Sequence, residues 1–175
     1  MRAAKSSVSS ARSAKPVDLE TRLTDDHHQA LKLWLRLLSC TNMLEAEIRT
    51  RLRAEFGMTL PRFDLMAQLE RNAGGLKMNE LSRRLMVSGG NVTGLTDQLE
   101  KEGLVARTDN PGDRRTYTVK LTPAGRALFV RMAAAHEQWV IGLFSGLSSN
   151  DKAQVHRQLA KLKLHVAGVT AAREE

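Results

Sequence analysis

The stretch LSRRLMVSGGNVTGLTDQLEKEGLVAR, residues 81–107, holds two short helical patterns with almost nothing between them. Met78, Leu81 and Leu85 recur at i, i+3 and i+7, and so do Val92, Leu95 and Leu99. Only Met86 and Val87 stand between the first pattern and Ser88. Two short helices joined so tightly predict a helix-turn-helix unit, whose second helix can enter a DNA major groove. That second helix starts weakly. Gly89 and Gly90 each cost roughly 1 kcal/mol relative to alanine at a helical position. With Val92, Leu95 and Leu99 committed to a core, the remaining surface offers Ser88, Gly90, Asn91, Thr93 and Gly94. These are small or hydrogen-bonding groups that let backbone approach a groove wall. Asn reads adenine bidentately, and Thr hydrogen-bonds or touches the thymine methyl. Ser88 is expected to cap the helix by accepting from an N–H near Asn91. A plainer reading is that Gly89-Gly90 simply ends the turn.

Downstream, Val105 to Thr108 reads as a strand. Tyr117, Val119 and Leu121 alternate with Thr116, Thr118 and Lys120 to give a second, half-buried one. Asp109-Asn110-Pro111-Gly112 is a turn cluster between them. The prediction is a β-hairpin wing with Asp113, Arg114 and Arg115 at or near its tip. An arginine on a narrow ribbon suits minor-groove insertion; two arginines beside an aspartate also read as a solvated ion pair.

Working outward, apolar residues from about Asp26 form two rows, Leu31, Trp34, Leu35, Leu38 and Leu33, Leu37, Cys40, Leu44, Ile48, Leu52. A helix apolar on more than one side is buried on more than one side, which points to a second subunit. Gly57 should end it. Pro61 fits the first turn of the next helix, with Phe63, Met66 and Leu69 inward and Gly74-Gly75 as its stop. Thr122-Pro123 opens another helix, carrying Leu128, Met132, Ala135, Trp139 and Leu143, broken at Gly146. Ser148 and Asp151 resemble a capping box before a last helix. There Val155, Leu159, Leu162, Val166 and Val169 are spaced alternately by four and three, the seam of helices packed side by side or of a core. The fold class is therefore mostly α with a small β-hairpin wing. The division expected is a basic arm over 1–25, a helical dimerisation region over 26–57 and 122–170, and a winged helix-turn-helix DNA-binding domain over 58–121.

The balance of 27 Lys and Arg against 19 Asp and Glu favours an anionic partner, nucleic acid ahead of membrane. Residues 77–120 hold eight basic residues against six acidic ones, so the excess lies elsewhere. Residues 1–22 hold five against two, and non-specific affinity is expected to owe much to that arm. Its opening, MRAAKSSVSSARSAKP, lacks the apolar region of a secretory signal. No run of about 18 apolar residues suggests a membrane span, and a cytoplasmic location is expected. The single cysteine, Cys40, excludes an internal disulfide and reads as a core thiol.

The run at 81–107, followed by DNPGDRRTYTVKLTPAG at 109–125, resembles the multiple antibiotic resistance regulator (MarR) family of bacterial transcription factors. The resemblance implies a winged-helix homodimer, joined through its first and last two helices and binding a pseudo-palindrome. The family's minor-groove arginine falls on Arg115 and the acid that orients it on Asp113. Recognition-helix contacts fall around Ser88 to Thr93, with Gly89-Gly90 in place of larger polar residues. Such proteins usually repress, and a small ligand bound between the dimerisation and DNA-binding regions releases them. Segments 33–53 and 59–71 are similar to the branch that senses hydroxycinnamoyl-coenzyme A thioesters, p-coumaroyl-coenzyme A among them. A thioester sensor needs an apolar slot and cations for phosphates. Trp34, Leu37, Cys40, Phe63 and Met66 are candidates for the slot, and Arg36, Arg49, Arg51 or Arg53 for the phosphates; each also reads as core or solvated helix face. The function expected is a ligand-responsive repressor. Alternatives on the same fold are a redox regulator using Cys40 and a sensor of a free phenolic acid. No spacing of His, Cys or carboxylates suggests a metal, a cofactor or a nucleophile with its base, which argues against an enzyme.

Overall fold

The amphipathic spacing at 78–99 folds as the periodicity predicts. In the computed structural model, which describes residues 28–110 and 113–172, the strand positions 109–110 and 113–116 by backbone alone, α3 spans Met78–Leu85 and α4 spans Gly89–Lys101. Before them come α1 at Gln29–Phe56, α2 at Leu60–Glu70 and β1 at Leu76–Lys77. After them come β2 at Val105–Asn110, β3 at Asp113–Leu121, α5 at Pro123–Leu143 and α6 at Ser149–Ala171. The basic arm at 1–25 lies outside the described residues. Glu47–Glu175 forms one compact unit, and its boundary falls inside α1.

Gly57, at φ +61°, turns the chain out of α1, with its own N–H and that of Met58 donating back to the carbonyls of Arg53 and Leu52. Pro61 sits in the first turn of α2, where its missing donor costs nothing. The expectation that Gly74-Gly75 stops α2 is corrected. The helix ends at Glu70, where Asn72 donates from its side chain to the Gln68 carbonyl at 2.8 Å and from its backbone to Leu69 at 3.1 Å. Gly75 has a different task. At φ +86° it lets β1 lie against β3, where a Cβ would stand 2.7 Å from the Val119 carbonyl.

The sheet is antiparallel in the order β1-β3-β2, with Leu76 opposite Val119 and Val105 opposite Leu121. Both wing strands run further than expected. β2 continues to Asn110, which pairs with Asp113, so only two residues separate the strands. Leu65, Met66, Leu81, Val92, Leu99, Val119 and Met132 are wholly buried and bring α2, α3, α4, α5 and the sheet around one core. Thr122 caps α5, its hydroxyl accepting from the Gly125 N–H at 3.0 Å and donating to the Gly103 carbonyl at 2.7 Å. Ser148 and Asp151 form the expected capping box at the start of α6.

Candidate nucleic-acid interface

The turn between α3 and α4 is built by Met86, in the left-handed region at φ 55°, and not by the glycines. The Ser82 hydroxyl donates to the Val87 carbonyl at 2.6 Å, and the Val87 N–H donates to the Ser82 carbonyl at 3.2 Å. Gly89 and Gly90 have ordinary helical backbone inside the first turn of α4. A Cβ at Gly89, Gly90 or Gly94 would meet nothing within 4 Å. Among the described residues neither conformation nor packing asks for glycine at these three positions.

Ser88 occupies the N-cap position with extended backbone, but its side chain makes no cap hydrogen bond, a correction to the expected role. Ser88, Gly90, Asn91 and Thr93 are all exposed, forming a small-residue face over the first turn and a half of α4. The Thr93 hydroxyl donates to the Gly89 carbonyl at 3.0 Å, which leaves its oxygen free to accept. Thr96 does not belong to this face. It is wholly buried and donates to the Val92 carbonyl at 2.8 Å, because a helix position four after Val92 points the same way.

The C-terminal half of α4 is acidic, with Asp97, Glu100 and Glu102 at its end. Each is taken up by an arginine from another element. Arg107 on β2 bonds Asp97 through Nη2 and Glu100 through Nη1 at 2.6 Å, and its backbone N–H donates to Glu100 at 3.2 Å. Burial works against its charge, yet the hydrogen bonds and charges of Asp97 and Glu100 outweigh it and raise the Arg107 pKa. Arg62, buried on α2, reaches Glu102. Sequence periodicity could not reveal these pairs, since the partners are 7, 10 and 40 residues apart and meet only after folding.

The wing rises beside α4. Backbone pairing sets Asp113 at the hairpin's closing end and Arg114 and Arg115 next to it in β3; their side chains lie outside the description. Tyr117, exposed, joins Met78, Thr93, Asp97 and Arg107 around a cleft of about 470 Å³ between α4 and the wing.

Trp34, Arg36 and Cys40 on α1 are exposed and Leu37 is half-buried. Exposure of Cys40 corrects its reading as a core thiol. Arg49 is exposed and Phe63 is buried. Met66 is wholly buried, which leaves it no surface to offer a ligand. Phe63 reaches a second cleft, about 420 Å³, formed by α2, α3 and α5 and lined also by Arg71, Arg84, Leu85, Phe129 and His136. Phe63 stacks on Phe129 at 5.5 Å and lies 5.1 Å from the His136 ring. Burial lowers the His136 pKa, favouring the neutral ring. Arg71 and Arg84 make no ion pair among the described residues. The sequence reading missed this cleft because its lining comes from three helices at no common spacing.

Among the described residues no group of His, Cys, Asp and Glu could hold a metal ion, and no helix is long and apolar enough to cross a membrane.

Residues 56–116 match the MarR family. The chain is 35% identical over 122 residues to the transcriptional activatory protein BadR of Rhodopseudomonas palustris, covering 66% of this chain and 69% of that one. Among solved structures, a MarR family transcriptional regulator from Silicibacter pomeroyi superposes with a TM-score of 0.70 at 32% identity, over 82% of this chain and 99% of the other. Sco3205 of Streptomyces coelicolor, a MarR family regulator solved in complex with DNA, shares the fold at a TM-score of 0.69 and 23% identity, over 81% and 89%.

Proposed function

The chain belongs to the MarR family of transcriptional regulators, and on that premise we propose that it is a ligand-responsive repressor, binding a pseudo-palindromic operator as a homodimer and released by a small aromatic effector. The observation that carries the reading is the exposed start of α4. Three glycines that nothing among the described residues requires stand there among Ser88, Asn91 and Thr93. About 1 kcal/mol of helix stability forgone at each is accounted for by close approach to a groove wall. Arg115, oriented by Asp113 and with Arg114 beside it, enters the adjacent minor groove. Residues 58–121 serve DNA binding, 26–57 and 122–170 serve dimerisation, and the arm at 1–25 adds phosphate contacts. The complex with Sco3205 supports the DNA mode for this fold.

Dimerisation is supported by α6. Val155, Leu159, Leu162, Val166 and Val169 hold the alternating spacing of a helix seam, and all are exposed in the single chain. With Val140, Ile141, Phe144 and Leu147 they extend an apolar surface that a second copy would cover.

The effector reading is supported by the cleft between α2, α3 and α5. A planar ring fits beside Phe129 and His136, and Arg71 and Arg84 stand ready for carboxylate or phosphate. A ligand wedged between α3 and α5 would displace the helix-turn-helix. For Trp34, Arg36, Leu37, Cys40 and Arg49 a ligand role is proposed from residue chemistry alone. The test is fluorescence anisotropy on DNA from upstream of the gene, titrated with p-coumaroyl-coenzyme A, the free acid and coenzyme A. Release by the thioester alone supports an aromatic acyl thioester effector, release by the acid supports a phenolic acid, and no release discards both. The name of the Rhodopseudomonas relative indicates activation, so a promoter-reporter assay reads the sign of regulation. Exposure of Cys40 favours one second reading, a redox-responsive regulator; operator binding unchanged by mild peroxide rules it out.

A further inference from the structure

The recognition helix and the wing are the two parts of this fold that reach DNA, and one side chain ties them together. Arg107 leaves β2 at the base of the wing and spans Asp97 and Glu100, which sit three residues apart and therefore on one side of α4. Its backbone N–H also donates to Glu100, so strand and helix are joined by side chain and main chain at once. The Arg107 side chain is partly sheltered, at 23% exposure. A planar, five-donor fork meets the two carboxylates at once in fixed directions, where a lysine ammonium is a compact point charge on a flexible stem.

We infer that Arg107 is a positioning residue for DNA binding, fixing the wing at one angle to α4 so that the helix and the wing tip engage adjacent grooves in register. The inference rests on the proposed reading in which Arg115 enters the minor groove. Arg107 itself lies at the floor of the cleft between the helix and the wing, with both acids in its grasp. Its part is to hold the two readers a fixed distance apart. A rival role is charge masking, in which Arg107 merely cancels two carboxylates that would repel phosphate. The two roles differ in one measurable respect. Masking acts independently of the wing tip, whereas positioning acts through it.

A double-mutant cycle on operator binding separates them. Arg107→Gln, Arg115→Ala and the double variant are compared with the wild type in anisotropy titrations at one salt concentration, with thermal unfolding of each to establish folding. Arg115→Ala should weaken wild-type binding about tenfold or more, yet by no more than about threefold in the Arg107→Gln background, because the wing tip is already out of register. If Arg107→Gln fails to fold, Asp97→Asn with Glu100→Gln opens the same clamp from the helix side, and the same loss of the Arg115 effect is expected. An Arg115 effect retained in full in the opened clamp overturns the inference and leaves the wing reading standing. An Arg115→Ala variant that binds like the wild type overturns the wing reading itself, and the positioning role with it.

Discussion

The carbonyl oxygen of Leu104 occupies the space that a side chain on Gly125 would need. This close approach seats the first turn of α5 on the base of the wing, where Thr122 also donates its N–H to the same carbonyl at 3.1 Å. It gives the run L-T-P-A-G its physical meaning: proline starts the helix, threonine caps it and glycine lets it touch the strand. Gly125→Ala should therefore destabilise the fold by about 1–3 kcal/mol, the usual cost of overpacking. Urea unfolding checks it, and an unchanged midpoint would show that the backbone yields freely.

Glycine on α4 should behave in the opposite way. Gly90→Ala meets open space in a helical position, so the protein should gain about 0.5–1 kcal/mol of unfolding free energy. The same variant should bind the operator more weakly, since in the proposed DNA complex the added methyl would face the groove wall. Stability measured by urea and affinity by anisotropy must move in opposite directions. A variant that gains stability and binds as before removes the groove-approach argument.

Much of this architecture was legible in the residues, for reasons that differ by element. α3 and α4 declared themselves because their apolar residues recur at helical spacing, and α5 and α6 because Thr122-Pro123 and Ser148 with Asp151 are local start signals. β1 was not legible, since a strand of two residues has no period to detect and forms only because β3 offers an edge. The cap assigned to Ser88 misjudged that hydroxyl, which makes no cap hydrogen bond, whereas Thr96 follows Val92 by one helical turn and is drawn inward with it. Nothing in the spacing of Asp97, Glu100 and Glu102 tied them to Arg62 and Arg107, which meet them only in the folded chain. Cys40 sat in an apolar row, and the row implied burial that the single chain does not provide.

The seam on α6 makes a prediction about assembly. Leu162→Glu places a charge in the middle of the exposed apolar row, while no residue of α6 is buried in the chain's own core. The variant should keep its helical circular dichroism and sediment as a monomer in analytical ultracentrifugation. A variant that still sediments as a dimer would move the interface elsewhere.

His136 gives the fold a pH dependence of definite sign. Burial lowers its pKa below the ordinary value of 6.5, so the unfolded chain takes up the proton first as pH falls. Stability from this group is complete above about pH 6.5 and declines from there down towards the folded-state value. His136→Phe, which keeps a ring beside Phe63, should reduce the loss of urea midpoint between about pH 7.5 and about pH 5.5. An identical loss in both proteins would mean that His136 takes its proton as readily folded as unfolded.

Whether α4 and the wing read a particular DNA sequence is decided by selection from a pool of random duplexes. The bound fraction is sequenced, and the winners are measured against the starting pool at physiological salt. Enrichment of a pseudo-palindrome bound about a thousandfold or more tighter than the pool is the expected outcome. A protein that enriches no sequence, and holds every duplex alike through charge alone, would contradict it.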